Sequence, residues 1–185
     1  MRRTGSGVTA ALLAVSCLSL VGCSNHSTST SSTAATTTLP ATAAVYRSGK
    51  LAVTAAVPGH RLAETSPATL ALLLPPHSKV VAWSVGDVGA LVVHSYELVL
   101  ATFPPGSTLA TIDTFLRSYA GTPNTTRYGR PALRKLTPIP LSTGTRYSGI
   151  TAFSVGRALV IAVGYDDVQA TVAAFLASVR LVSSP

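Results

Sequence analysis

The sequence predicts an α+β domain: a mainly antiparallel β-sheet packed with two or three helices. Three observations carry the expectation. Past residue 45, short runs place apolar residues at every second position, the period of a strand with one buried face. Two later segments switch to the 3.6-residue period of a helix, and Gly or Pro residues stand between the runs, where turns are needed. Strands follow one another with one helix in the middle and another near the end, an order that favours an antiparallel sheet over βαβ units.

In chain order, "KLAVTAAV" (50–57) places Leu51, Val53, Ala55 and Val57 on one face, and Pro58-Gly59 ends this strand. "PATLALLLPP" (67–76) reads as a short apolar helix stopped by its paired prolines. Segments 79–85, 88–95 and 97–103 read as successive strands, with Gly86-Asp87 as a hairpin turn between the first two. Trp83 and Leu72-Leu73-Leu74 are expected in the core. A helix follows over 108–120. Leu109, Ile112, Leu116 and Tyr119 share a face with Phe115 beside them, Ser107 is placed to cap the start, and Gly121 ends it. Segments 146–155 and 158–164 make a hairpin about Gly156-Arg157. The last helix, 166–178, opens on Asp166 and Asp167, whose charge suits a helix N-terminus. It buries Val168, Val172, Phe175, Leu176 and Val179, and "VRLV" (179–182) returns as a strand.

This order resembles the PsbP-like fold of small bacterial envelope proteins. The resemblance rests on Val57-Pro58 at the end of the first strand, the helix at 108–120, and Gly129-Arg130-Pro131-Ala132-Leu133-Arg134. The hairpin at 146–164, the helix at 166–178 and Ser178-Val179-Arg180-Leu181 complete it. It implies an α/β sandwich over nearly all of residues 45–182 and no particular activity, since the fold hosts unrelated roles.

The first 22 residues have the pattern of an export signal. "MRRTGSG" is basic, and Val8 to Gly22 is a 15-residue apolar run broken by Ser16, Cys17 and Ser19. A membrane-spanning helix wants roughly 20 apolar residues, so this run is short for one. It ends Leu20-Val21-Gly22-Cys23, which resembles the bacterial lipoprotein lipobox. The resemblance implies cleavage between Gly22 and Cys23 and attachment of palmitate-type acyl chains to Cys23. The residue types suit that chemistry: a thiol is the nucleophile that takes a diacylglyceryl group as a thioether, and a small Gly22 gives a protease room. Two or more acyl chains anchor stably where one holds only marginally. Residues 24–44 hold 12 Ser or Thr among 21 and no charge, a composition that cannot build a core. With Cys23 they form a flexible tether (23–44), of r.m.s. span about 25 Å.

Of the 185 residues, 47% are hydrophobic and 11% charged, and residues 45–185 are long enough for one ordinary domain. The formal charge is +8, falling to +6 without Arg2 and Arg3. Outside a cell, a basic surface meets acidic lipid headgroups, wall polymers or acidic envelope proteins, and no nucleic acid is expected. Of the two cysteines, Cys17 lies inside the apolar run, so the mature chain holds Cys23 alone and is expected to be stable by packing, without a disulfide.

No catalytic, metal or cofactor constellation stands out. Ser95 and Glu97 point to one face of a strand and His94 to the other, so His94-Ser95 does not form a nucleophile–base pair. His60 and His77 have no partner in the sequence pattern, and the six carboxylates are scattered. The candidate binding residues are the acid-poor set Arg127, Tyr128, Arg130, Arg134, Lys135, Arg146 and Tyr147. Pairing of 124–136 with 146–155 brings several to one face, where Arg and Tyr suit anionic or sugar-bearing ligands. The expected function is a non-catalytic binding or accessory module, lipid-anchored on the outer side of the cell membrane, with anionic lipid or glycopolymer as ligand. The alternatives are a lipid or glycolipid carrier with an apolar pocket, and a hydrolase whose site leaves no sequence signature.

Overall fold

The computed structural model describes residues 43–66, 72–86 and 94–184. The expected signal segment, Cys23 and nearly all of the expected tether lie outside them. The described residues form an α+β sandwich, mainly antiparallel sheet with two helices, as the hydrophobic periods predict.

The strands are β1 (Ala44–Ser48), β2 (Leu51–Ala55), β3 (Ala63–Thr65), β4 (Lys79–Gly86) and β5 (Ser95–Thr102), followed by helix α1 (Leu109–Ala120). Then come β6 (Thr125–Arg127), β7 (Arg130–Leu141), β8 (Gly144–Val155), β9 (Ala158–Asp166), helix α2 (Gln169–Ser178) and β10 (Arg180–Ser183). A three-stranded sheet runs β1-β2-β10 and a seven-stranded sheet β3-β4-β5-β9-β8-β7-β6.

The large sheet is buried on both faces at its centre. Along β5, Tyr96, Leu98 and Leu100 join a core with Leu51 and Val53 of β2 and Val172, Phe175 and Leu176 of α2. Their neighbours Val99 and Ala101 join a second core with Ile112 and Leu116 of α1 and Leu159 and Ile161 of β9. The layers are therefore α1, the seven-stranded sheet, then α2 with the small sheet. Two-sided burial explains why β9 opens with the unbroken apolar run "ALVIAV" where alternation is the norm. Each fully buried Leu or Phe contributes about 1.5–3 kcal/mol.

Helix α1 begins one residue later than the Ser107 cap predicts. Thr108 is the N-cap: its Oγ1 accepts the Thr111 N–H at 3.2 Å. The Ser107 N–H instead closes a turn on the Pro104 carbonyl at 3.2 Å. Gly121 ends the helix with φ 110° and donates to the Arg117 carbonyl at 3.1 Å. Its buried stripe is narrower than expected: Ile112 and Leu116 are buried, while Leu109 and Tyr119 are exposed.

Helix α2 buries Val172, Phe175 and Leu176, with Val179 beyond its end, whereas Val168 is exposed. Gly149 of β8 and Gly164 of β9 face each other in register beneath it. A Cβ at Gly149 would lie 2.6 Å from Val172 Cγ1, so only a glycine lets the helix sit this close. At the helix end the Ser178 hydroxyl donates to the Phe175 carbonyl at 2.7 Å and accepts the Ala56 N–H at 2.8 Å. Strand β10 returns beside β2, as the closing "VRLV" predicts.

The first half departs from the expected order. Strand β4 pairs directly with β5, Gly86 opposite Ser95, and its other edge takes β3. The expected Gly86-Asp87 turn and strand at 88–95 lie mostly outside the described residues, and Ser95 belongs to β5. The first half of the helix expected at 67–76 also lies outside them; of the leucines expected in the core only Leu74 is buried, and Leu72 and Leu73 are exposed. Trp83 is part-buried against the core, 5.2 Å from the Tyr46 ring.

Candidate functional site

The β6–β7 hairpin organises the predicted basic residues. Its turn needs two positive φ angles, supplied by Tyr128 (51°) and Gly129 (74°). The unusual backbone at Tyr128 is held by its hydroxyl, which accepts the Leu181 N–H at 2.9 Å.

On one side of this hairpin the arginines converge on the C-terminal end of α2. The Arg127 guanidinium lies over the Phe153 ring at 4.5 Å and donates to the Val179 carbonyl at 2.8 Å. Arg134 reaches the Ala173 carbonyl at 3.5 Å. Its backbone is clamped by Asn124, whose Oδ1 accepts the Arg134 N–H at 2.9 Å and whose Nδ2 donates to its carbonyl at 2.8 Å. Arg180, which the sequence reading missed, reaches the Ala177 carbonyl through Nε at 3.5 Å. The three line a cleft of about 310 Å³ together with Thr125, Leu176 and Ala177. The helix C-terminus contributes roughly −0.5 charge, so three guanidinium charges dominate the cleft. None of them is ion-paired with a carboxylate of the described residues.

The rest of the predicted set goes elsewhere. Arg130 forms an ion pair with Asp113 of α1 at 2.6 Å and is mostly buried. Arg146 pairs with Asp167 at 3.4 Å near the start of α2. Lys135 is exposed and, next to Arg134 on a strand, points to the opposite face. Tyr147 packs against the core beneath α2. Sequence spacing therefore finds Arg127 and Arg134 of the site. Arg180, 46 residues beyond Arg134, is joined to them only by the return of β10.

A second polar group lies near the start of α2. Tyr96 donates its hydroxyl to the Asp166 carboxylate in a short hydrogen bond, and Asp166 also accepts the Val168 N–H at 2.9 Å. Burial, then this bond, pushes the Tyr96 phenol far above its ordinary range. Burial works to raise Asp166 too, but the bonds from Tyr96 and Val168, with Asp167 and His94 nearby, hold it below the usual carboxylate range. Asp167 is raised, first by its hydrogen bond with Asp166 and then by burial. The His60 and His94 rings lie with centroids 4.9 Å apart, tilted by 30°. Among the described residues neither imidazole hydrogen-bonds a hydroxyl or carboxylate, and no three His, Cys, Asp or Glu groups are placed to hold a metal.

Between the segment at 73–75 and α1 runs a mainly apolar groove of about 570 Å³. Leu73, Leu74, Phe103, Phe115 and Tyr119 line it, with the hydroxyls of Thr111, Thr114 and Ser118 along the helix wall. Its size suits one small apolar ligand. Glu97 stands on this side of the sheet, and burial raises its carboxyl above the ordinary glutamate range. No helix among the described residues is long and apolar enough to cross a membrane.

No family model matches the chain, and no curated protein or solved structure matches it.

Proposed function

We propose that the protein is a lipid-anchored binding module on the outer face of the cell membrane, with no catalytic step of its own. The observation that carries this reading is Leu20-Val21-Gly22-Cys23, which closes a short apolar run 21 residues before the first strand at Ala44. Those intervening residues are rich in Ser and Thr and uncharged, long enough to stand a domain off the headgroups. The PsbP-like resemblance adds an envelope setting by analogy of fold alone. The cleft of Arg127, Arg134 and Arg180 supports an anionic ligand. The apolar groove over α1 favours a second reading, a carrier of one lipid or glycolipid chain.

One experiment addresses both: membrane fractionation of wild type and Cys23→Ala, with intact mass spectrometry under native and denaturing conditions. The expected result is a wild-type mature chain beginning at residue 23, heavier than its amino acids by covalent acyl groups and membrane-bound. Cys23→Ala should be released. A chain with no added mass, or a Cys23→Ala variant that still sediments with membranes, overturns the anchor. Lipid lost between native and denaturing spectra supports the carrier reading, and its absence from the native spectrum counts against it.

A further inference from the structure

We infer that the cleft at the C-terminal end of α2 is a binding site for the phosphate of an anionic phospholipid headgroup. The inference rests on the proposed anchoring for its ligand's source, because a tethered domain meets that chemistry first and at high local concentration. The recognition itself rests on the cleft. Three guanidiniums from β6, β7 and β10 line it, each with a backbone carbonyl within 3.5 Å. Arg127 is fixed by the Phe153 ring and the Val179 carbonyl, while Arg134 and Arg180 make only long, exposed contacts of 3.5 Å with the Ala173 and Ala177 carbonyls. A guanidinium has five N–H donors in a planar fork, so one carbonyl bond each leaves most of the donors for a ligand. Forks of this kind match the paired oxygens of a phosphate.

Charge agrees with shape. Arg130 and Arg146 have carboxylate partners, whereas Arg127, Arg134 and Arg180 have only backbone carbonyls among the described residues. An incoming phosphate therefore has no internal acid to displace. The cleft's volume of about 310 Å³ holds one phosphate with a small alcohol and is too small for a folded partner. The Thr125 hydroxyl on its wall is a further hydrogen-bonding group.

The test uses the full mature chain carrying Cys23→Ala, so that the anchor does not mask headgroup binding. Sedimentation with phosphatidylcholine vesicles, with and without phosphatidylglycerol, is compared for this protein, for Arg134→Glu/Arg180→Glu, and for the charge-matched control Arg47→Glu/Arg61→Glu. Arg47 and Arg61 are exposed and lie outside the cleft. The expected result is binding only to phosphatidylglycerol vesicles, weakened on the order of thirty-fold by the cleft pair and far less by the control. Circular dichroism of each variant confirms an intact fold, and if the cleft pair unfolds, Arg134→Gln/Arg180→Gln replaces it. Equal losses for both pairs, or no loss for the cleft pair, overturn the site. Binding to isolated wall polymer but not to vesicles, lost in the cleft pair, overturns the lipid source. A failure here leaves the anchor standing, since acylation is read from mass and fractionation.

Discussion

Glu97 is a side chain whose surroundings disfavour its charge. It stands on β5 between Leu98 and Tyr96, in a strand otherwise given over to the two cores, and burial raises its carboxyl. A group raised in the native state above its unfolded value of about 4.3 supplies stability that is fully present below that value. That stability is lost as pH climbs through the raised native value, so at neutral pH the ionised Glu97 is a cost. Glu97→Gln keeps the shape and removes the charge. It should raise the melting temperature at neutral pH by the equivalent of about 0.5 kcal/mol, a modest figure because the group is part exposed. Near pH 4 the gain should vanish, and scanning calorimetry at both pH values reads the difference. An equal gain at both would mean that charge is not the cause. Asp166 has the opposite sign: held low, its stabilisation is present at neutral pH and fades as pH falls through its native value.

Helix α2 depends on an absence of side chain beneath it. With the Gly149 Cβ position 2.6 Å from Val172 Cγ1 and 2.7 Å from Leu176 Cδ1, Gly149→Ala must push the helix off the sheet. A cost of about 1–3 kcal/mol is expected from such overpacking. Gly164→Ala, whose nearest contacts are 3.2–3.3 Å with the Tyr96 and Phe175 rings, should cost less. Urea midpoints of the two variants check the order; reversed order would mean that the helix is not seated on Gly149. Helix α2 was legible because burial on a defined face writes a period into the chain, and the β8–β9 hairpin because two apolar runs flank Gly156-Arg157. Strand β3 was not, since Ala63, Glu64 and Thr65 are all exposed and leave no pattern. Strand β7 was legible in its first half, as residues 129–134 and as the partner of 146–155, but it runs on to Leu141 through Pro138 and Pro140, which argue against a strand from sequence alone. Pro138 and Pro140 lie beyond β6, which pairs only with residues 130–132, so neither faces a strand partner on that edge among the described residues. The same limit hid Arg180: a local motif shows what is adjacent in sequence, and strand return decides what is adjacent in space.

The molecule as a whole is organised by one sheet serving two cores. No cysteine lies beyond residue 23, so the domain's cohesion comes from these cores and the hydrogen-bonded ladder between them. Because β5, β8 and β9 contribute to both, losing one core should remove support from the other, and the domain should unfold in a single step. Phe175→Ala, on the α2 side, should cost about 3–5 kcal/mol, and Leu116→Ala, on the α1 side, about 2–5 kcal/mol. Against a total of about 5–15 kcal/mol, either leaves a marginal fold. Trp83, the chain's one tryptophan, sits in β4 against Tyr46 on the α2 side, and so reports the core that Leu116→Ala does not touch. Its fluorescence and the far-ultraviolet dichroism should therefore lose native signal at one shared urea midpoint in Leu116→Ala, shifted from wild type. A dichroism loss that precedes the fluorescence change would show that α1 peels away alone, and that the sheet does not couple its two faces.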